Sequence, residues 1–373
     1  MQTYGVARHY LDHASTSPAR PEVVAAMLPW LAPGGAADPG RVHTEGHSAR
    51  AAIEAAREQV AALVGARSRE VVFTSGATEA IVAAAWGAAE RGGHQVVTAV
   101  EHSAVREAAA RAGSVTVVGV DRLGRVDPDE AAAAVRPGET AAVHVQWGNH
   151  EVGTVQPVAA VVAACKERAP DVLVHIDAAA AVGHVPVSFA GVGADLLSVA
   201  AHKFGGPPGV GALLVRRGLR LRPLLVGGDQ ERARRAGTEN VAAIVGFGAA
   251  AAQGLDEGAP RRLTGAALAA AVALEGVVAY GDTADRLPHI VCLGVAGVEA
   301  EAVVLGLDQA GVAVHSGSAC SSESLEPSPV LEAMGVDAQR SLRVSVGWST
   351  VEADIEAFNR ALPAVVGRLR ALA

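Results

Sequence analysis

The chain has 373 residues, of which 50% are hydrophobic, 19% charged and only 3% aromatic, so a large core must be built from Ala, Val and Leu. Its formal net charge of −8 at pH 7 argues against a nucleic-acid partner bound through phosphate contacts. The sequence has no apolar run of about 18 residues that could span a membrane. Its first residues also lack the apolar run of a secretory signal, so we expect a cytosolic protein.

Lysine and cysteine usage carry chemical information. Lysines and arginines together number 31, yet only Lys166 and Lys203 are lysines. A chain that favours arginine so strongly would be expected to use arginine wherever only a positive charge is needed. A lysine is required for imine formation, the common task that arginine cannot perform.

The three cysteines, Cys165, Cys292 and Cys320, form no CxxC pair. The sequence therefore predicts neither a disulfide framework nor a metal site.

In chain order, a helix at 21–31 and a second helix ending near Leu63 precede a regular alternation of short apolar runs and Ala-rich segments. We predict strands at 71–74, 95–100, 115–120, 141–146, 172–176, 196–200 and 209–215. Seven strands joined by helical crossovers predict an α/β fold, in which helices sandwich a mostly parallel sheet.

After residue 255 the pattern changes to a smaller α+β arrangement. We predict helices at 262–274, 299–310 and 351–371, and strands at 289–295, 312–314 and 341–345. We therefore expect a large domain over residues 16–257 and a small domain formed by residues 1–15 and 258–373.

Polar side chains follow five of the predicted strands near the point where each strand ends: Thr78, His102, Asn149, Asp177 and Lys203. Taken singly, a helix cap, a turn or a strand end explains each of them. Together, on one edge of a sheet, they supply an anion cradle, a ring for stacking, a carboxylate for a ring nitrogen and an amine for an aldehyde. Pyridoxal 5′-phosphate requires that combination.

Cys320 and Arg343 add two further candidates. Cys320 lies in the run GSACSSES, which favours an exposed nucleophile, whereas Cys165 and Cys292 fit the description of buried structural cysteines. Because this run has little apolar area to bury, we expect it to be poorly ordered without substrate. Arg343 lies in the strand-like SLRVSVG, where its guanidinium could bind a substrate carboxylate.

The sequence resembles cysteine desulfurases of the NifS/IscS kind, within the class V aminotransferase-like family of pyridoxal-phosphate enzymes. The resemblance extends from Leu11 to Gly347 and is carried by YLDHAST, FTSGATEA, EHSAV, NHEVGTVQP, HIDAAAAVG, AHKFGGPPGVGALLV, RAGTENVAAIVG, SGSACSSESLEPSPVLEAMG and SLRVSVG. It implies the fold-type I transferase architecture, a homodimer and pyridoxal 5′-phosphate as cofactor.

The resemblance also implies roles for individual residues. Lys203 would hold the cofactor as an imine and act as the base, and Asp177 would pair with the ring nitrogen. His102 would stack on the ring and counts, with Lys203 and Cys320, among the catalytic residues. Arg343 would bind the carboxylate of L-cysteine. Further cofactor contacts would come from Ala77, Thr78, Asn149, His150, His202 and, across a subunit boundary, Thr238.

The implied reaction removes sulfur from L-cysteine, releases L-alanine and leaves a persulfide on Cys320 for an acceptor protein. Iron–sulfur cluster assembly, tRNA thiolation, cofactor synthesis and specialised sulfur metabolites are all open as destinations for the sulfur.

Two alternatives to the cysteine desulfurase function remain. One is an aminotransferase or a selenocysteine/cysteine lyase of the same family, which would not need the cysteine, and the other is a non-catalytic protein that retains the fold.

Four positions depart from the usual family residues. His150 and Asp38 stand where asparagine is common, Ala180 where glutamine is common, and Ala200 where serine is common. A neutral hydrogen bond contributes about 1 kcal/mol net, so losses around the cofactor predict binding that is several-fold weaker with the same chemistry.

Overall fold

The computed structural model describes residues 7–35, 37–316 and 327–372. Its strands are β1 His9–Tyr10, β2 Val71–Thr74, β3 His94–Thr98, β4 Ser114–Val118, β5 Thr140–Gln146, β6 Leu173–Asp177, β7 Leu196–Ala200, β8 Gly211–Val215, β9 Val277–Tyr280, β10 Ile290–Val295, β11 Val312–Ala313, β12 His315–Ser316 and β13 Ser341–Ser345. Its α-helices are Pro21–Leu31, Thr44–Leu63, Ala77–Ala88, Ser103–Ala112, Pro128–Ala133, Val158–Arg168, Phe189–Val192, Gln230–Ala233, Val241–Ala251, Gly258–Val272, Ala300–Gln309, Pro329–Ala333 and Glu352–Arg370.

Strands β2 to β8 form a seven-stranded sheet, called the large sheet below, in the order β2-β8-β7-β6-β5-β3-β4. The predicted α/β fold class is confirmed, and all seven predicted strands lie within two residues of their expected bounds. Strand β8 runs antiparallel to both β2 and β7, while the other neighbouring pairs are parallel. The carboxyl ends of six strands therefore meet at one edge, where β8 begins.

A four-stranded antiparallel sheet, the small sheet, has the order β12-β13-β10-β9. Strand β9 was not predicted, because only Val277 of its four residues is buried and the run carries little pattern. The predicted strand at 312–314 is β11, which pairs in parallel with β1 instead of joining the small sheet. Residues near the start of the chain therefore lie beside its last third.

Each sheet has its own hydrophobic core. The helix Thr44–Leu63 buries Ala49, Ile53, Ala56 and Val60 at helical spacing and packs on the large-sheet side. The helix Glu352–Arg370 buries Phe358 and other apolar residues in the separate cluster beneath the small sheet. No helix in the described ranges is long and apolar enough to cross a membrane.

Candidate active site

A cavity of about 400 Å³ opens at the edge of the large sheet where the parallel strands end, within the size range typical of small-molecule sites. Most of the side chains predicted to form the site line it, including Ala77, Thr78, His102, His150, Asp177, His202 and Lys203. Ala180 and Ala200 line the same cavity, so both of these departures from the family pattern face its interior.

One wall of the cavity is an anion cradle. The chain turns at Ser75 and Gly76 and enters the helix Ala77–Ala88, whose N-terminal N–H groups and dipole favour a negative charge. Gly211, at the start of β8, permits close contact with this turn, because a Cβ at that position would lie 2.7 Å from the carbonyl carbon of Gly76. Glu79 accepts from the Ser75 N–H at 2.7 Å and from Arg235 Nε at 2.9 Å, which holds the cradle in place.

Asp177 is the last residue of the central strand β6 and is buried on the cavity floor. Its Oδ1 accepts a hydrogen bond of 3.0 Å from the Ala179 N–H. Burial raises the pKa of this carboxyl, while nearby His102 and Lys203 act in the opposite direction. A cationic ring nitrogen placed beside Asp177 would stabilise the carboxylate, which is the pairing that the sequence predicted.

His102 caps the helix Ser103–Ala112 and contributes a flat ring to the cavity wall. Its Nδ1 accepts from the Ala104 N–H at 3.1 Å, so the ring proton of the neutral imidazole lies on Nε2. Burial lowers the pKa of His102, which keeps the ring neutral. The ring packs edge-on against His150 at a centroid distance of 5.0 Å, and burial holds the pKa of His150 well below its usual range.

Lys203 follows β7 and reaches back toward the first residues of the chain. Its Nζ donates to the carbonyl oxygens of Ala14 at 2.7 Å and Ser15 at 3.1 Å. The neighbouring His202 lies 3.1 Å from the Thr16 hydroxyl through its Nδ1. The segment 14–16 therefore holds both residues, a contact that sequence reasoning missed because about 190 residues separate the partners.

Two residues predicted to bind the cofactor do not line this cavity within the described part of the chain. The Asn149 Oδ1 accepts from the N–H groups of Glu151 and Val152, both at 2.8 Å, and its Nδ2 donates to Val100 O. Its amide thus stabilises a turn, a local role typical of asparagine. Thr238 is exposed and is not among the residues that line the cavity.

Arg343, predicted to bind substrate, lies in β13 and is not among the residues that line the cavity. It donates to Asp12 Oδ1 at 2.8 Å, to Ser15 Oγ at 2.7 Å and to the carbonyl oxygen of His150 at 2.9 Å. Its Nε is buried and has no hydrogen-bond partner among the described residues. A substrate carboxylate would therefore have to compete with Asp12 for the guanidinium.

Glu151 joins the large sheet to the helix Pro329–Ala333. Its Oε2 accepts from the Ser328 hydroxyl at 2.6 Å, and burial raises the pKa of Glu151 to about 7. This contact was not predicted, although Glu151 belongs to the NHEVGTVQP motif and Ser328 to the SGSACSSESLEPSPVLEAMG motif. The Ser328 side chain does cap the helix, since it accepts from the Leu331 N–H.

Cys320, the predicted nucleophile, lies outside the described residues, and so does the expectation about the order of its segment. Cys165 and Cys292 are buried as predicted, and burial raises the pKa of these thiols to about 11 and about 12. Within the described ranges, no group of three or more His, Cys, Asp or Glu side chains could hold a metal ion.

The donor set of the cavity fits pyridoxal phosphate. A helix N-terminus for the phosphate, the buried Asp177 carboxylate for a ring nitrogen and the Lys203 amine for the aldehyde line one space of about 400 Å³. The flat His102 ring also borders that space. Ala180 and Ala200 supply no hydrogen bonds from their side chains, so the weaker binding inferred from the sequence stays a prediction.

Comparisons with known proteins agree with this description. Residues 9–358 match the family model described as aminotransferase class-V. The cysteine desulfurase IscS of Dictyoglomus turgidum is 40% identical over 380 residues, which cover 97% of this chain and 95% of that protein. A solved structure described as a NifS-like protein superposes with a TM-score of 0.90 at 31% identity, over 97% of this chain and 100% of that one. A structure described as SspA in complex with cysteine gives a TM-score of 0.82 at 28% identity, over 92% and 100% of the two chains.

Proposed function

The chain belongs to the aminotransferase class-V family and is a cysteine desulfurase, and from this premise we propose that Lys203 and Cys320 are its reacting side chains. Pyridoxal 5′-phosphate would be held by the cradle at Ala77 and Thr78, by Asp177 and by Lys203. The observation that carries the proposal is the convergence of Asp177 and Lys203 on one cavity with that cradle.

Bound in this cavity, pyridoxal phosphate supplies a ring that accepts electrons and stabilises negative charge at the Cα of an amino acid. Asp177 would keep the ring nitrogen protonated, because its buried carboxylate gains from a cationic partner. His102 would cover one face of the ring and exclude water. Lys203, once released from the carbonyls of Ala14 and Ser15, would take the Cα proton of L-cysteine through Nζ.

Sulfur transfer follows from the chemistry of the Cys320 thiolate. The thiolate would attack the sulfur of the bound L-cysteine, so that the substrate Cβ–S bond breaks and an S–S bond forms. The products are L-alanine and a persulfide on Cys320, and no further oxidant or reductant is needed. An acceptor protein would then take the outer sulfur.

The two lysines provide a direct test of the cofactor site. Lys203→Ala should abolish the visible absorbance of the lysine-bound cofactor and all turnover, since no second amine lines the described cavity. Lys166→Ala is the matched control, because Lys166 lies in a helix and pairs with Asp195 elsewhere. Loss of the absorbance in the Lys166 variant would overturn the assignment.

The persulfide distinguishes this function from the aminotransferase and lyase alternatives. Cys320→Ser should still bind cysteine and shift the cofactor spectrum, yet it should form little alanine and carry no added sulfur by mass spectrometry. Wild-type protein treated with cysteine without an acceptor should gain one sulfur on the Cys320 peptide. A serine variant that makes alanine at the wild-type rate would favour a lyase.

Assembly and location extend the proposal. We propose two domains, 16–257 and 1–15 with 258–373, which the separate cores under the two sheets support. We also propose a cytoplasmic homodimer in which Thr238 of one subunit reaches the phosphate site of the other, since Thr238 is exposed in the single chain. Sedimentation of a monomer that retains the cofactor would exclude this dimer.

A further inference from the structure

Two buried histidine rings, called the histidine stack below, lie behind Lys203. His184 follows β6 after a short turn and is 7% exposed, and His289 directly precedes β10 and is 2% exposed. Their centroids are 3.4 Å apart and their planes differ by 13°. The stack therefore joins a residue connected to the large sheet to one connected to the small sheet.

His184 contacts the backbone of the reactive lysine. Its Nε2 lies 3.0 Å from the carbonyl oxygen of Lys203, and because a carbonyl only accepts, Nε2 carries the proton. Gly183 makes the approach possible: its φ is +82°, and a Cβ there would lie 2.5 Å from Phe204 Cβ. The turn at Gly183 and His184 therefore packs closely against Lys203 and Phe204.

The surroundings keep both rings of the stack neutral. Burial lowers the pKa of His184 to about 4 and holds the pKa of His289 well below its usual range. Among the described residues, His13, Arg20, Lys203 and Arg343 act electrostatically on one or both rings, and each of them disfavours a further positive charge there. A neutral His184 keeps a single, fixed hydrogen-bond donor directed at Lys203.

We propose that His184 is a positioning residue for Lys203 and that stacking on His289 fixes the ring of His184. Lys203 is then held at both ends, with its carbonyl bound by His184 and its Nζ bound by Ala14 and Ser15. The placement of the amine consequently depends on the contact between the two sheet regions. The chemical role of Lys203 rests on the proposed function, but the contact itself does not.

Amine labelling of the cofactor-free protein tests the contact without any measurement of activity. Since the chain holds only Lys166 and Lys203, acetylation by a small amine-reactive ester followed by peptide mass spectrometry gives a ratio of two sites. His184→Leu removes the donor, and the loss of one hydrogen bond should raise the Lys203 to Lys166 labelling ratio about five-fold. His184→Gln keeps an N–H at a similar reach and should stay within about two-fold of wild type.

Two further variants separate positioning from general destabilisation. His94→Leu removes another buried histidine of the large sheet, one bound to Thr140 and Thr116, and should lower stability without changing the ratio. His289→Leu leaves the His184 donor and removes the stack, so the ratio should rise by less than in His184→Leu. An unchanged ratio in His184→Leu, or an equal rise in His94→Leu, overturns the proposal.

If His184→Leu does not fold, His289→Leu decides, and a wild-type ratio in that variant overturns the proposal. The absorbance of the wild-type protein loaded with pyridoxal phosphate is recorded in parallel. Absence of a lysine-bound band would reject the proposed function, while the labelling ratio would still report whether His184 holds Lys203.

Discussion

The pair His144 and His175 in the large sheet and the pair His184 and His289 behind Lys203 consist of the same residue type in similar burial, yet they use their ring nitrogens differently. The first pair meets edge-on at a centroid distance of 5.1 Å and is hydrogen-bonded throughout. The second is stacked, directs one N–H at a backbone carbonyl, and leaves His289 Nδ1 without a partner among the described residues.

The first pair belongs to a polar ladder formed by Gln95, His144, His175 and Ser198 across four neighbouring strands. Gln95 donates to Ala85 O, so its Oε1 accepts from His144 Nε2 at 2.7 Å. His144 Nδ1 must then accept from His175 Nδ1 at 3.0 Å, and His175 Nε2 accepts from the Ser198 hydroxyl at 2.8 Å. The ladder thus fixes the tautomer of both rings.

The difference between the pairs indicates different uses of a buried imidazole. A ladder in which every ring nitrogen is hydrogen-bonded specifies how four β-strands align. Moving any one of its side chains would leave the neighbouring side chains without hydrogen-bond partners. A stack with one unsatisfied nitrogen is less stabilising, and the N–H of its His184 ring acts on a single target, the backbone carbonyl of Lys203. The following predictions test this contrast in cofactor-free protein.

The largest effect should come from His175→Leu. This substitution leaves His144 Nδ1 and the Ser198 hydroxyl without hydrogen-bond partners inside the sheet. Each buried polar group left without a partner lowers the unfolding free energy by about 1–3 kcal/mol. We expect the unfolding free energy to fall by roughly 4 kcal/mol, measured by urea denaturation at pH 7.5. A loss below about 1 kcal/mol would mean that water or repacking satisfies the ladder.

The second effect is acid sensitivity of the ladder. Burial lowers the pKa of His144 from 6.5 to about 4. Between these values the unfolded chain binds a proton that the folded chain does not, so stability is lost as the pH falls. For His144 the loss should reach roughly 3 kcal/mol by pH 4, and His144→Gln should show a correspondingly shallower decline in urea unfolding. Equal slopes in the two proteins would contradict the prediction.

A third prediction concerns Glu101, another buried group with an unsatisfied atom. Its Oε1 accepts from Thr98 Oγ1 and Gln146 N–H, its Oε2 has no partner among the described residues, and burial raises its pKa to about 8. The folded chain therefore holds a proton that the unfolded chain releases above about pH 4.5, and stability falls as the pH rises toward 8.

Glu101→Gln should remove this decline. From pH 6 to pH 7.5 the variant should gain roughly 2 kcal/mol of unfolding free energy relative to wild type. Unfolding curves of both proteins at the two pH values measure the gain. A difference that stays constant with pH would show that Glu101 is already ionised in the folded chain.

The smallest effect should be that of His289→Leu on stability. His289 Nδ1 already lacks a partner among the described residues, so an apolar side chain removes no hydrogen bond at that atom. We therefore expect a change in unfolding free energy below about 1 kcal/mol. The same urea assay used for His175→Leu provides the comparison. A loss as large as that of His175→Leu would remove the distinction between the stack and the ladder.

The sequence predicted the large sheet well, because its strands are continuous apolar runs and Asp177 and Lys203 follow two of those runs closely. It did not predict β9, whose four residues carry little pattern, or the antiparallel direction of β8. Asn149 was predicted to face the cofactor, but its amide is used by the turn that it begins, an alternative that the local sequence also offered. The contacts of Lys203 with Ala14 and His184 are tertiary, and no local periodicity encodes them.

The pairing of β1 with β11 has a consequence for how the protein is made. Leu11 and Ala14 are bound by Ala313 and Ser345, residues that leave the ribosome some 300 positions later. The carbonyls that hold the Lys203 amine are therefore fixed only when translation is nearly complete, although the lysine itself emerges much earlier. We expect nascent chains stalled before Ser345 to acylate at Lys203 as readily as at Lys166, and full-length chains to protect it.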